Sequence, residues 1–256
     1  MSIYSHFRPE EKEFIDKVLG FKYDVEQNYA PKLMDFLNPR EQEITKLIIG
    51  NQSIKVSFFG GSDATERKRA LIYPDYYEPT DEDFGVTLLS VEYPSKFVTI
   101  EHPQVLGSLM SIGVKREKFG DILFVDSQIQ LIIASELESY IQLNFDKVGK
   151  TKIRLKKIPL DNILIVEENW QESSITCSAL RLDAVISSIF NISRAKSQEV
   201  INAKRVKVNF KLVELTSFEC QEGDVLSIRG FGRAKIIALN GSTKKDKIKM
   251  VIGTLK

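Results

Sequence analysis

Cysteine, histidine and tryptophan are scarce in this chain, at two, two and one among 256 residues. Cys177 and Cys220 stand singly and far apart, which fits neither zinc-ligand nor CxxC spacing nor the disulfide framework of a small secreted domain. Both are expected to be buried small hydrophobes in a reduced chain. No apolar run approaches the ~18 residues of a membrane span. The opening MSIYSHFRPEEKEF carries acids where a signal peptide needs a basic start and an apolar core. A cytoplasmic protein without a membrane span is therefore expected. The shortage of histidine bears on chemistry, because general acid–base catalysis at neutral pH uses that residue most often. His6 lies near the start, and His102 precedes a proline, where a local helix-start contact is expected. GxSxG, HExxH, the dinucleotide glycine fingerprint and the GxxxxGK[ST] loop are all missing, and Asp81-Glu82-Asp83 reads as a solvated loop. The expectation is a protein that is not an enzyme and needs no metal or cofactor.

What is present is an ordinary globular composition, 43% hydrophobic and 28% charged, in a chain long enough for two or three small domains. The net charge of +1 conceals an asymmetry. From Cys177 to the end there are 15 Lys+Arg against 7 Asp+Glu, net +8, which leaves net −7 for the first 176 residues. A basic domain at the end of a chain favours a polyanionic partner, since each phosphate neutralised releases condensed counterions.

Pro9 followed by EEKEFIDKVLGFKYDVEQ predicts a first helix, with acids in its first turn and Phe14, Ile15, Val18, Leu19 and Val25 along one stripe. Asn38-Pro39 opens a second, REQEITKLII, which Gly50 is placed to close in a left-handed conformation. Residues 1–51 thus read as a helical N-terminal region. The pattern then alternates: SIKVSFF, GVTLLSVEY, ILFVDSQIQLII (two strands meeting near Asp126-Ser127) and TKIRLKKI as strands, with helical periods at ATERKRALI, QVLGSLMSI and SELESYIQLNFDKV. Residues 52–166 read as a mixed α+β domain, EENWQESS as a connection, and 175–256 as a third domain. The fold class is α+β.

In the last domain Arg181-Leu182-Asp183 opens a helix with Leu182, Val185, Ile186, Ile189 and Phe190 on one face. Asn191-Ile192-Ser193 breaks it, and Ser193 is a good cap for a second helix, SRAKSQEVINAKR. Lys204 and Arg205 at its end complement the helix dipole. Arg194 and Lys196 sit at the opposite, disfavoured end, so an anion is expected beside them. The strand VKVNF turns Lys207 and Asn209 outward. The hairpin DVLSIRGFGRAKIIAL brings Arg229 and Arg233 close to its Gly230-Phe231-Gly232 turn.

RLDAVISSIFNISRAKSQEVINAKRVKVN followed by EGDVLSIRGFGR resembles the S-four RNA-binding fold found in a small-subunit ribosomal protein, in bacterial tyrosyl-tRNA synthetases and in many pseudouridine synthases. The HIGH and KMSKS signatures of the synthetases and the catalytic aspartate motif of the pseudouridine synthases are not seen. The resemblance implies an RNA-facing groove lined by Arg181, Ser193, Arg194, Lys207 and Asn209. At Lys204 that family usually has glycine.

Further upstream, FFGGSDATERKRALIYP turns at Gly60-Gly61 toward a helix that Ser62 or Asp63 is placed to cap, with Arg67, Lys68 and Arg69 a turn further on. GVKREKFGDI presents Lys115, Arg116 and Lys118 in a connection. These are a candidate second RNA-binding set, against plain solvation. The two segments and the C-terminal module, taken in order, resemble the YlmH family of bacterial RNA-binding proteins, with Pro103-Gln104 where that family usually has a charged pair after the histidine. The resemblance implies association with the ribosome, rescue of large subunits blocked by peptidyl-tRNA, and a genetic link to cell division. Structured RNA (rRNA or tRNA) and the large ribosomal subunit are then the expected partners. Division proteins are the alternative, and an RNA-modifying activity a further one.

Overall fold

In the computed structural model, residues 7, 11–50, 53–166, 170–243 and 246–255 are described, and residues 1–166 and 167–256 form separate units. His6 and the helix-opening Pro9 lie outside the described residues. Helix α1 (Lys12–Asn28) buries Ile15, Val18 and Val25 and ends at Tyr29 with φ 50°. Strand β1 (Lys32–Leu37) follows, then helix α2 (Pro39–Ile49). The Asn38 side chain accepts from the Glu41 backbone N–H at 3.0 Å, and the Glu41 carboxylate accepts from the Asn38 N–H at 2.7 Å. This reciprocal cap, with Pro39 in the first turn, fixes the helix start. Gly50 has φ 69° but ψ −155°, so it leaves the helix through an extended backbone region open to glycine and not through the left-handed turn expected.

Strands β2 (Ile54–Phe59) and β3 (Lys68–Pro74) complete an antiparallel sheet in the order β1-β3-β2. The expectation of a purely helical region over 1–51 is thereby corrected. It contributes a strand, and its helices share one core (Ile15, Val18, Met34, Ile44, Ile72) with residues beyond 52. The helix expected at ATERKRALI is also corrected, because Lys68–Pro74 is the central strand. Arg69 to Pro74 are all buried, and a strand covered on both faces reads as an unbroken apolar run without a period of two.

The unit continues with β4 (Val86–Glu92), α3 (His102–Ser111), β5 (Phe119–Val125), β6 (Gln128–Ala134), α4 (Glu138–Asn144), the short pair β7 (Lys147–Val148) and β8 (Thr151–Lys152), and β9 (Arg154–Ile158). A four-stranded antiparallel sheet results, ordered β5-β6-β4-β9. Leu89, Leu131, Val105, Leu109 and Ile141 form a core between one face of it and α3 and α4. On the other face Leu88 and Ile132 meet Phe36 of β1. Gly120 is required there, since a Cβ would stand 2.9 Å from the Phe36 ring.

In the second unit β10 (Gln171–Cys177), α5 (Leu182–Phe190), α6 (Arg194–Asn202), β11 (Val206–Val208), β12 (Lys211–Leu212), β13 (Val225–Ile228), β14 (Gly232–Ser242) and β15 (Ile248–Leu255) build a six-stranded sheet ordered β10-β15-β14-β13-β11-β12. Residues from Gln171, expected as a connection, instead pair with β15 from Gln171↔Thr254 to Cys177↔Ile248. The α5–α6 pair closes the core with Leu182, Val185, Ile186, Val200 and Ile201 against Val206, Leu226, Ile228 and Ile236. Cys177 and Cys220 are both buried in it, and burial pushes the Cys220 thiol up to about 12. Of the described residues, no helix is long and apolar enough to cross a membrane.

Candidate nucleic-acid interface

Helix α5 begins at Leu182 with Arg181 as its cap residue, and this turns Asp183 inward, where it has no exposed surface. Its carboxylate accepts four hydrogen bonds: from Arg194 Nη2 at 2.8 Å, Gln198 Nε2 at 2.9 Å, Arg181 Nε at 3.3 Å and Arg181 Nη2 at 3.4 Å. Burial alone raises a carboxyl pKa, but the donors from Gln198, Arg194 and Arg181 outweigh it and hold Asp183 at about 2. The turn that makes this possible is Asn191, left-handed at φ 50°, followed by Ser193, whose hydroxyl accepts from the Lys196 N–H at 3.1 Å. The anion expected beside Arg194 is thus the chain's own Asp183. Both arginine side chains nevertheless keep about half their surface in solvent, at 47% and 51%. Lys196 is held by Glu199 at 2.9 Å in an exposed pair on the same helix.

Helix α6 stops at Asn202, short of the Arg205 expected, and Lys204 adopts φ 57°. A left-handed lysine carries a Cβ–carbonyl clash that glycine lacks, which explains why the S-four family usually has glycine there. The turn delivers the chain into β11. Val206 and Val208 face the core opposite Ile228 and Leu226, while Lys207, Ser227 and Arg233 stand side by side on the outer face of three neighbouring strands. Gly230 (φ 94°) and Gly232 (φ 105°) make the tight turn that sets Arg229 beside this row. The result is a groove of about 490 Å³ lined by Lys204, Arg205, Lys207, Arg229 and Arg233. Lys204 reaches Glu214 at 3.2 Å, and the Arg233 guanidinium lies 5.4 Å from the Phe210 ring centre.

Asn209 requires a correction. Its amide oxygen accepts from the Val225 N–H and its amide N–H donates to Asp224, both at 2.8 Å. It clips β11 to β13 and has little left with which to read RNA. Ser193 likewise uses its hydroxyl as the helix cap.

The second candidate set is corrected more thoroughly. No helix follows Gly60-Gly61, so no helix start exists to cradle a phosphate. Gly60 is needed because a Cβ would stand 2.4 Å from the Arg67 carbonyl oxygen. Arg69 is 3% exposed and donates to Met34 O, Gly85 O and both oxygens of Glu136. Lys118 bridges Asp35 at 2.6 Å and Glu136 at 3.2 Å. Arg67 donates to Phe36 O, with its buried Nε unpartnered among the described residues. Arg116 donates to Phe119 O and Gly120 O. Burial and then the nearby Arg67 lower Arg116 to about 10. Asp121 accepts from the backbone N–H of Glu66 and Arg67 and completes this cluster. These cations join β1, β3 and β5 inside the unit. Of the set, Lys115 is exposed and Lys68 donates to Asp63 O at the surface. His102 is the first residue of α3, its ring 5.9 Å from that of Phe124. Gln104 closes the cap by accepting from the Glu101 N–H.

Comparison with known proteins places these features. Residues 79–162 match the family model described as "Putative RNA-binding domain in YlmH", and residues 180–226 match the S4 domain. The Bacillus subtilis (strain 168) "Ribosome-associated protein quality control protein P2" is 44% identical over 245 residues, covering 96% of this chain and 95% of that one. The chain belongs to the YlmH family. A solved YlmH structure, "Cell division protein ylmH from Streptococcus pneumoniae", is similar with a TM-score of 0.56 and 31% identity, over 64% of this chain and all of that one. The small ribosomal subunit protein uS4 of Desulfotalea psychrophila (strain LSv54 / DSM 12343) is 31% identical over 99 residues, 38% of this chain and 40% of the other. In this YlmH-family chain the S4 match contains the Asp183 hub and Lys204 to Lys207. Arg229 and Arg233 lie beyond it and join the groove through the β13–β14 hairpin. Asp183 and Gln198 escaped the sequence reading. An acid in the first turn of an apolar helix passes for a dipole partner, and only its burial marks it as a hub.

Proposed function

We propose that this chain is a non-enzymatic, cytoplasmic RNA-binding protein that works on the ribosome, holding rRNA or tRNA of the large subunit during rescue of stalled particles. The observation that carries the reading is the single groove into which a helix end, a strand and a hairpin bring Lys204, Arg205, Lys207, Arg229 and Arg233. Of these, Arg205, Lys207 and Arg229 have no hydrogen-bonded or ionic side-chain partner among the described residues. Unpaired cations converging from three elements repel one another until a polyanion occupies the groove. Arg181 and Arg194, fixed on Asp183 yet half exposed, add two oriented guanidinium groups suited to phosphate. The relative from B. subtilis, named for ribosome-associated quality control, supports the ribosome as the place of action.

The test is sedimentation with purified large subunits, with and without peptidyl-tRNA. Lys207→Gln with Arg229→Gln, two groove residues without a side-chain partner among the described residues, is expected to weaken binding at least tenfold at 150 mM salt while the fold is retained. Undiminished binding refutes the assigned face. Co-purification with a division protein after RNase treatment, with no ribosome binding, favours the adaptor role instead.

A further inference from the structure

The first unit is acidic overall, yet Lys147 to Lys157 holds six bases and no acid in eleven residues. Five of them, Lys147, Lys150, Lys152, Arg154 and Lys156, are exposed and have no side-chain hydrogen bond or ion pair among the described residues. Lys157 differs, being held by Glu138 at 2.7 Å. Their placement follows from the backbone. Gly149 (φ 59°) makes a two-residue turn between β7 and β8 with Lys150 at its tip. Ile153 and Leu155 then pack inward, so Lys152, Arg154 and Lys156 project together from the other side, about 7 Å apart. Strand β9 is the edge of its sheet, which leaves this row open along its whole length.

Edge strands often carry lysine to prevent strand addition, but that does not account for the hairpin. Lys147 and Lys152 stand directly opposite each other across β7–β8, an arrangement that costs stability. The acid nearest in register, Glu92 opposite Arg154, makes no ion pair with it. Several cations elsewhere in this unit are paired, Arg40 with Glu11 and Glu43, Arg69 with Glu136 and Lys118 with Asp35. A surface meant only for solubility mixes the two signs. A protein partner calls for an apolar or aromatic anchor among the charges, and this row is basic throughout. A phosphate backbone needs cations alone.

We propose that Lys147, Lys150, Lys152, Arg154 and Lys156 form an RNA-backbone binding strip on the N-terminal unit, in addition to the groove of the C-terminal unit. The strip binds by charge and carries no base selectivity of its own. It replaces the Arg67–Arg69 and Lys115–Lys118 sets as the site at which this unit meets RNA.

The full-length chain carrying Lys150→Gln, Lys152→Gln, Arg154→Gln and Lys156→Gln tests this by filter binding to deproteinised large-subunit rRNA across a salt series. A parallel variant, Lys207→Gln with Arg229→Gln, reports on the groove. The strip variant is expected to melt at the parent's temperature and to bind at least tenfold more weakly. Its slope of log K against log salt should be shallower by about 3, since every phosphate that is no longer neutralised takes about 0.7–0.9 from the slope. A strip variant with the parent's slope and affinity, while the groove variant is impaired, overturns the strip and leaves the groove standing. Neither variant differing from the parent overturns both. Unchanged rRNA binding with loss of binding to intact subunits assigns the strip to an acidic ribosomal protein and overturns the RNA site.

Discussion

Replacing Asp183 by asparagine isolates the charge at the centre of the C-terminal unit while keeping its shape. The carboxylate is fully buried and accepts from Arg181, Arg194 and Gln198. Its pKa falls from the ordinary 3.8 to about 2, which corresponds to a preference of roughly 2–3 kcal/mol for the charged, folded form. Half-exposed arginines can return to water when the charge is removed, so the expected loss at pH 7 is nearer about 2 kcal/mol than the larger cost of stranding a buried ion. The sign is fixed by the direction of the shift. A depressed carboxylate stabilises the fold above its unfolded pKa, and the contribution fades as pH falls through the folded one. The difference between the parent and Asp183→Asn should therefore be full at pH 5–7 and shrink to about a third by pH 2.5. Trp170, the sole tryptophan, packs on β15 at Gly253, so urea titration followed by its fluorescence reports on this unit alone. With a slope of about 1–3 kcal/mol per molar urea, the midpoint should drop by roughly 1 M at pH 7. A midpoint within about 0.2 M of the parent, or a difference that does not change between pH 5 and pH 2.5, refutes the hub.

Two further substitutions probe other parts of the fold. Arg69→Ala strips the buried donor from Met34 O, Gly85 O and Glu136, and should cost about 3–5 kcal/mol, seen by calorimetry as a fall of roughly 10 °C in the melting of the N-terminal unit; a change under 2 °C shows that the network is dispensable. Lys204→Gly removes a left-handed lysine and should raise the stability of the C-terminal unit by about 0.5–1 kcal/mol while weakening RNA binding several-fold, since Lys204 lines the groove; an unstable glycine variant would show that the turn is not strained by its side chain.

What could be read from the sequence divides along physical lines. Helix α2 was legible because its start is encoded locally, in Asn38, Pro39 and Glu41 within four residues. The C-terminal α5–α6 pair was legible for the same reason, with Asn191 and Ser193 marking the break. Strand β3 was not, since RALIYP has no alternation once both of its faces are covered, and its arginine and lysine neighbours imitate the polar face of a helix. Strand β1 was hidden in the short stretch between Pro31 and the Asn38-Pro39 helix start. Nothing local in KLMDFL announces its partner, which lies about 35 residues further on.

The basic residues show the same limit more sharply. Residue type identified the cations, but the carboxylates that commit them to the fold come from far along the chain: Glu136 reaches Arg69 across 67 residues, and Asp35 reaches Lys118 across 83. Only a structure sorts the committed cations from the uncommitted ones. In the C-terminal unit the acids are largely tied down. Asp183 holds Arg181 and Arg194, Glu199 holds Lys196, Glu214 holds Lys204, Asp224 is clipped to Asn209, and Glu222 accepts from the Leu239 N–H. With those acids engaged, Arg205, Lys207 and Arg229 share one groove with no carboxylate among the described residues to relieve them. Their mutual repulsion opposes the fold when the groove is empty and is relieved when a polyanion fills it, so binding and the stability of this unit are linked.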